Sequence, residues 1–229
     1  MISQLPDSLV QYFHDFGTLQ KHTKNQSICT EGEPCNSVFL VTEGCVAITK
    51  ETASGKELTI RLASSGDFIG ENILFTSLTS YPISAKTLEN STTLSISQAK
   101  LEIFIQQENS LLIAYTKWLQ IQTMREQTKL RDLLLHGKKG ALFSTLIRLS
   151  NTYGIKNENQ QLMINQRFTN TELANLCGTS REVVNRLLQE LKKEQIISDT
   201  HGHIIIHDLQ YLKNYCECDS CPIYMCQIN

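Results

Sequence analysis

At 229 residues and 41% hydrophobic side chains, the chain is long enough to bury a core without staples and suits one large or two modest domains. Lys and Arg number 21 against 23 Asp and Glu, and the net charge of −2 excludes a uniformly basic nucleic-acid coat but not a local basic face. No apolar run approaches bilayer-spanning length, and Met1 to Asp7 form no basic, apolar leader, so a cytoplasmic protein with no membrane partner is expected.

From Ser27 to Ile96, glycines recur at Gly32, Gly44, Gly55 and Gly66. Between them lie β-rich stretches at 37–42, 46–49 and 58–62, and short strands at regular spacing with glycine turns predict a β-sandwich or β-roll. From Ala99 the period becomes helical. A wide apolar stripe through Leu112, Tyr115, Trp118, Ile121 and Met124 continues to Leu135, free of Pro and Gly. A helix of that length, over 108–136, predicts pairing with a second copy of the chain. The run Gly137-Lys138-Lys139-Gly140 then marks a boundary.

Past that boundary the charge turns positive: residues 137–215 carry ten Lys and Arg against seven Asp and Glu. Thr169-Asn170-Thr171-Glu172 predicts a capping box opening a short helix that Gly178 ends. Thr179-Ser180-Arg181-Glu182 predicts a second one, opening a helix with Val183, Val184, Leu187, Leu188 and Leu191 on its apolar side. Two helices around a tight glycine turn make a helix-turn-helix. A hairpin follows, Ile196 to Ser198 and His203 to Ile206, as a wing. The opposite side of the second helix presents Ser180, Arg181, Glu182, Asn185, Arg186 and Gln189, side chains suited to base edges at the helix end that enters a major groove.

Eight cysteines fall in two groups. Cys29, Cys35, Cys45 and Cys177 are scattered and read as small apolar fillers. Cys216, Cys218, Cys221 and Cys226 crowd the last fourteen residues, which suits a metal or cluster site in a reducing compartment better than a disulfide frame. Their short, mixed gaps suit an iron–sulfur cluster, and four thiolates also complete a tetrahedral zinc site. His136, His201, His203 and His207 read as solvated linker and hairpin residues. No phosphate loop, nucleophile elbow or His/carboxylate motif accompanies the cysteines, so an enzyme is not expected.

The order of β-roll, long helix and winged helix-turn-helix resembles the CRP/FNR superfamily of transcription regulators, and the run Thr179 to Leu187 is similar to its recognition-helix signature. The resemblance implies an α+β fold: a β-roll over 1–107, a dimerisation helix over 108–136, a winged helix-turn-helix over 137–214 and a cysteine-rich tail over 215–229. It also implies a homodimer on double-stranded DNA, with RNA polymerase as a further partner and TGTGA half-sites read by Arg181, Glu182 and Arg186. The cyclic-nucleotide binders of that family follow a Gly-Glu pair with a cationic residue about ten positions later. Gly70-Glu71 is present, but no Arg or Lys occurs from Thr79 to Ala85, so no cAMP is expected, and the pair reads as a leftover turn.

The tail spacing and the segment Thr128 to Gly140 resemble the Bacillus-type FNR branch, an anaerobic regulator with a C-terminal cluster. That resemblance implies one 4Fe-4S cluster per subunit on Cys218, Cys221, Cys226 and Asp132, with Cys216 left over. By residue type alone, Asp132 reads as a surface carboxylate near a helix end. The implied function is oxygen-responsive regulation, mainly activation of anaerobic genes. A regulator with a structural zinc tail and another effector, or none, is the alternative.

Overall fold

The computed structural model describes residues 5–218 and 221–229. Met1 to Gln4, and Asp219 and Ser220 inside the predicted thiol motif, lie outside the described residues. The chain forms two compact units: residues to Lys56, Ile60–Gln122 and Asn229 in the first, Glu57–Thr59 and Thr123–Ile228 in the second.

The first unit begins with α1 (Asp7–Phe16), then β1 (Thr18–His22), β2 (Ser27–Cys29), β3 (Ser37–Glu43) and β4 (Cys45–Glu51). Next come β5 (Glu57–Ser64, its first three residues in the second unit), β6 (Phe68–Ile69), a helical turn at Glu71–Ile73, β7 (Ser84–Thr87), β8 (Ser91–Ser97) and α2 (Gln98–Gln106). The strands form two sheets, β1-β8-β3-β6 and β2-β7-β4-β5, so the predicted roll is present with strands near each expected stretch. Both sheets feed one core: Val38, Phe39 and Leu94 from the first, Cys29, Val46 and Ala85 from the second. The four spaced glycines all take positive φ. At Gly44 this is obligatory, because at φ +92° a Cβ would stand 2.3 Å from Ser91 Oγ.

The long helix is α3 (Asn109–Leu135), 27 residues. Its N-terminal part places Leu111, Tyr115 and Trp118 in the β-roll core. From Thr123 onward it belongs to the second unit, with α4 (Gly137–Tyr153), β9 (Gly154–Lys156), β10 (Leu162–Ile164), α5 (Asn170–Leu176), α6 (Arg181–Lys193), β11 (Ile197–Thr200), β12 (His203–Ile206) and α7 (Leu209–Tyr215). Gly137 takes φ +61° and separates α3 from α4. Every residue of α4 from Gly140 to Ser150 is buried, which makes it the central helix of this unit. The predicted wing hairpin is half of a four-stranded sheet, β11-β12-β10-β9. Its other half, β9 and β10, is only three residues per strand, too short for an alternation pattern to announce it.

Three filler assignments hold, with Cys29, Cys45 and Cys177 buried. Cys35 is only half-buried, and its thiol donates to the Leu78 carbonyl at 3.3 Å.

Candidate functional site

Two sites arise in the second unit. The first is the helix pair. Thr169 Oγ1 accepts the Glu172 amide at 3.2 Å while Glu172 Oε2 accepts the Thr169 amide at 2.6 Å, completing the predicted capping box. Gly178, at φ +59°, turns the chain into α6. There the second predicted box fails. Ser180 is the N-cap, its hydroxyl accepting from the Val183 amide at 3.5 Å, so Glu182 falls one position short of the box register. Thr179 Oγ1 is buried and partnerless among the described residues.

Val184, Leu187, Leu188 and Leu191 are buried, while Ser180, Arg181, Glu182, Asn185 and Arg186 are exposed around the N-terminal half of α6. Asn170 Nδ2 donates to Asn185 Oδ1 at 3.2 Å, tying the two helices together. The Glu182 carboxyl sits below its usual range because its own backbone amide, then the Ser180 hydroxyl, hydrogen-bond to it, with the Arg181 charge adding. In the wing, His201 and Gly202 both take left-handed backbone, as a two-residue hairpin turn requires. His203 and His207 are hydrogen-bonded within this region, to Arg167 Nε and Ser198 Oγ respectively.

The second site corrects the reading of Asp132 as a surface carboxylate. It is only 3% exposed. Arg148 Nη2 and Ser144 Oγ donate to Oδ2 at 2.9 and 2.6 Å, and Arg131 Nε and Nη2 donate to Oδ1 at 2.9 and 2.7 Å. Burial opposes ionisation, but these hydrogen bonds outweigh it and hold the carboxyl below its usual range. Arg148 is itself almost fully buried. Removing either partner would strand a buried charge at a cost of about 3–5 kcal/mol.

The C-terminal tail lies against the same residues. Asn151 Nδ2 donates to the Cys226 carbonyl at 2.7 Å, and Arg148 Nη1 donates to those of Met225 and Gln227 at 3.4 Å each. Arg125 Nε donates to the Tyr224 carbonyl at 2.7 Å, and Thr152 Oγ1 accepts the Ile228 amide at 3.1 Å. Sequence reasoning missed these residues. Ser144, Arg148, Asn151 and Thr152 recur at helical spacing in α4, among Leu142, Phe143, Leu146, Ile147 and Leu149, which is a legible polar face.

The thiols gather on this region. Burial first, then Cys226, Asp132 and Cys221, raise the Cys218 thiol. Cys226 is raised chiefly by burial, Asp132 and Cys221 adding against the lowering pull of Arg148. Cys216 is pushed up to about 12 by burial, with Cys218, Asp132 and Cys226 adding, and its Sγ contacts the Gly140 carbonyl at 3.6 Å. Cys218, Cys221, Cys226 and Asp132 thus share one electrostatic neighbourhood, though no three His, Cys, Asp or Glu among the described residues stand in metal-holding arrangement. In donor chemistry this set fits an iron–sulfur group: thiols that repel one another as thiolates, beside an ionised carboxylate.

In the first unit, Gly70 takes φ +89° and leads into the turn at Glu71–Ile73. Glu71 is no leftover. Its Oε1 accepts from the buried Arg61 at 2.7 Å, and its backbone carbonyl accepts from the Tyr115 hydroxyl at 3.3 Å.

A family model described as a cyclic nucleotide-binding domain matches residues 19–108, and one described as a Crp-like helix-turn-helix domain matches residues 141–215. The chain is 40% identical over 226 residues to the anaerobic regulatory protein of Bacillus subtilis, covering 98% of this chain and 94% of that one. It is 24% identical over 200 residues to the cAMP-activated global transcriptional regulator CRP of Salmonella typhimurium, covering 87% and 94%. FixK2 from Bradyrhizobium japonicum shares the fold, with a TM-score of 0.77 at 17% identity over 87% of this chain and 97% of that one. The matched sequence, the helix-turn-helix and the β-roll agree: this chain belongs to the CRP/FNR family of DNA-binding transcription regulators, and it is not an enzyme.

Proposed function

We propose that this chain is an oxygen-responsive regulator, mainly an activator of anaerobic genes, that works in the cytoplasm as a homodimer on palindromic TGTGA-type sites. Cys218, Cys221, Cys226 and Asp132 would hold one 4Fe-4S cluster per subunit. When bound, the cluster supplies an oxygen-labile link between the tail and α3. The chain's own residues do the rest. Arg181, Glu182 and Arg186 meet base edges, Ser180 and Asn185 flank them, and RNA polymerase is the onward partner.

The observation that carries this reading is the neighbourhood of Asp132 and the tail thiols, joined through Arg148, which contacts both the carboxylate and the tail carbonyls. Similarity to the Bacillus subtilis anaerobic regulatory protein over nearly the whole chain adds to it. A cyclic nucleotide is not part of the proposal, because Glu71 is already paired with Arg61 and residues 79–85 offer no cation.

The test is protein purified without oxygen. Iron and sulfide near four per chain, a broad visible band lost in air, and TGTGA-palindrome binding lost with it are the expected results. Colourless protein with stoichiometric zinc would overturn the cluster and favour the zinc-tail alternative. Asp132→Asn, which keeps hydrogen-bonding capacity, should lower iron content, whereas Cys216→Ala should leave it near wild type; the reverse pattern removes Asp132 from the ligand set. Arg181→Ala should cost about 1–3 kcal/mol of binding and relax base choice at one half-site position.

A further inference from the structure

Resting on the cluster reading, we propose that Arg148 is the positioning residue that presets the ligand set, and that Arg131 is an exchangeable latch on Asp132. The two arginines divide the carboxylate. Arg148 holds Oδ2 together with Ser144, and Arg131 holds Oδ1. Their burial differs sharply: the side chain of Arg148 is 2% exposed and that of Arg131 42%. A buried guanidinium leaves its carboxylate only at the cost of an uncompensated charge, while an exposed one exchanges with water at little net cost. Oδ1 is therefore the oxygen that Asp132 releases readily, and Oδ2 is the one that fixes its orientation.

Arg148 also belongs to a grip on the tail backbone. The successive carbonyls of Tyr224, Met225, Cys226 and Gln227 accept from Arg125, Arg148, Asn151 and Arg148 in turn. These donors come from α3 and α4, so Cys226 and Asp132 are held in one frame by protein groups alone. Arg131, in contrast, interacts electrostatically with Cys218 and Cys221 as well as with Asp132. An exposed cation bonded to the carboxylate oxygen thus also feels the charge of two thiols of the proposed ligand set. Holding the tail and yielding Asp132 are separate tasks given to separate arginines.

The experiment uses full-length Arg148→Lys, Asn151→Ala and Arg131→Gln. Hydrogen exchange of the Met225, Cys226 and Ile228 amides is followed in metal-free protein, and iron per chain is measured after anaerobic purification. Arg148→Lys and Asn151→Ala should exchange these amides about tenfold faster and retain less iron. Arg131→Gln should leave tail exchange within about twofold of wild type and retain at least as much iron. Asn151→Ala strands no charge, so it tests the grip even if Arg148→Lys fails to fold. Unchanged tail exchange in the variants that fold overturns the grip. Iron loss in Arg131→Gln as deep as in Asn151→Ala overturns the division of labour. Wild type without iron overturns the cluster reading instead, whereas iron-loaded wild type with unchanged exchange overturns this inference alone.

Discussion

Lys129 lies three residues before Asp132 on α3, and its surroundings set its charge rather than its type. Burial, with Arg148 adding, brings its ammonium down to about 7 from the ordinary lysine value of 10.5, against the opposing pull of Cys177 and Glu126, while Nζ donates to the Thr59 carbonyl at 2.8 Å. Between about 7 and 10.5 the unfolded chain binds a proton there that the folded chain does not. The contribution of Lys129 to stability should therefore rise with pH through that window, by up to about 1.4 kcal/mol per unit, and the cost of its buried charge is largest at and below its lower end. The buried thiols, raised in the fold, oppose this trend as pH approaches their unfolded value of about 8.5, so the lysine's part is read against a variant that keeps the same thiols. Urea unfolding at about pH 7 and pH 8.5 checks it: wild type should gain stability relative to Lys129→Met, and equal pH slopes would refute the assignment. Asp132 and Glu71 teach the same lesson at this scale. Each reads from sequence as an unremarkable carboxylate, and each is paired with an arginine buried by elements distant in the chain.

At the scale of the element, the start of α6 separates two caps that the sequence alone does not distinguish. The pattern Thr-Ser-Arg-Glu predicts a box on Thr179, yet Ser180 carries the cap, since Gly178 and Thr179 complete the turn before the helix begins. Ser180→Ala should cost about 1 kcal/mol. Thr179→Val replaces a buried, partnerless hydroxyl with a methyl of like shape and should stabilise by up to about 1 kcal/mol. Thermal unfolding of both variants decides the register: a larger loss in Thr179→Val than in Ser180→Ala would put the cap back on Thr179. The helices of the reading head were legible because caps, glycine turns and the 3.6-residue period belong to neighbouring residues. Strands β9 and β10 were not, because three residues show no period and only the pairing of β10 with β12, and of β9 with β10, defines them.

For the molecule as a whole, the exposed side chains of α3 bear on assembly. Leu112, Ile113, Met124, Leu130, Leu134 and Leu135 are exposed, and at 100° per residue they fall on one arc of about 140°. A stripe of that kind suits a helix paired with its copy. Wild type should sediment as a dimer with or without oxygen, and Leu130→Glu should weaken association by about a hundredfold, which is roughly 2.8 kcal/mol. A wild-type monomer in both conditions would refute pairing through α3.

By itself the sequence determined the order of β-roll, long helix and winged helix-turn-helix, the exposed side of α6, and the crowding of thiols in the tail. Each of these rests on residues that are neighbours or that repeat at a fixed period, so local sterics and amphipathicity specify them. The burial of Asp132, the arginine that holds each of its oxygens, and the α4 residues that grip the tail emerge only when the chain is folded. Arg148 lies 16 residues from Asp132 and 77 from Met225, and no local pattern spans those separations. A buried charge is tolerated only where its partners converge, and that convergence is a property of the folded chain.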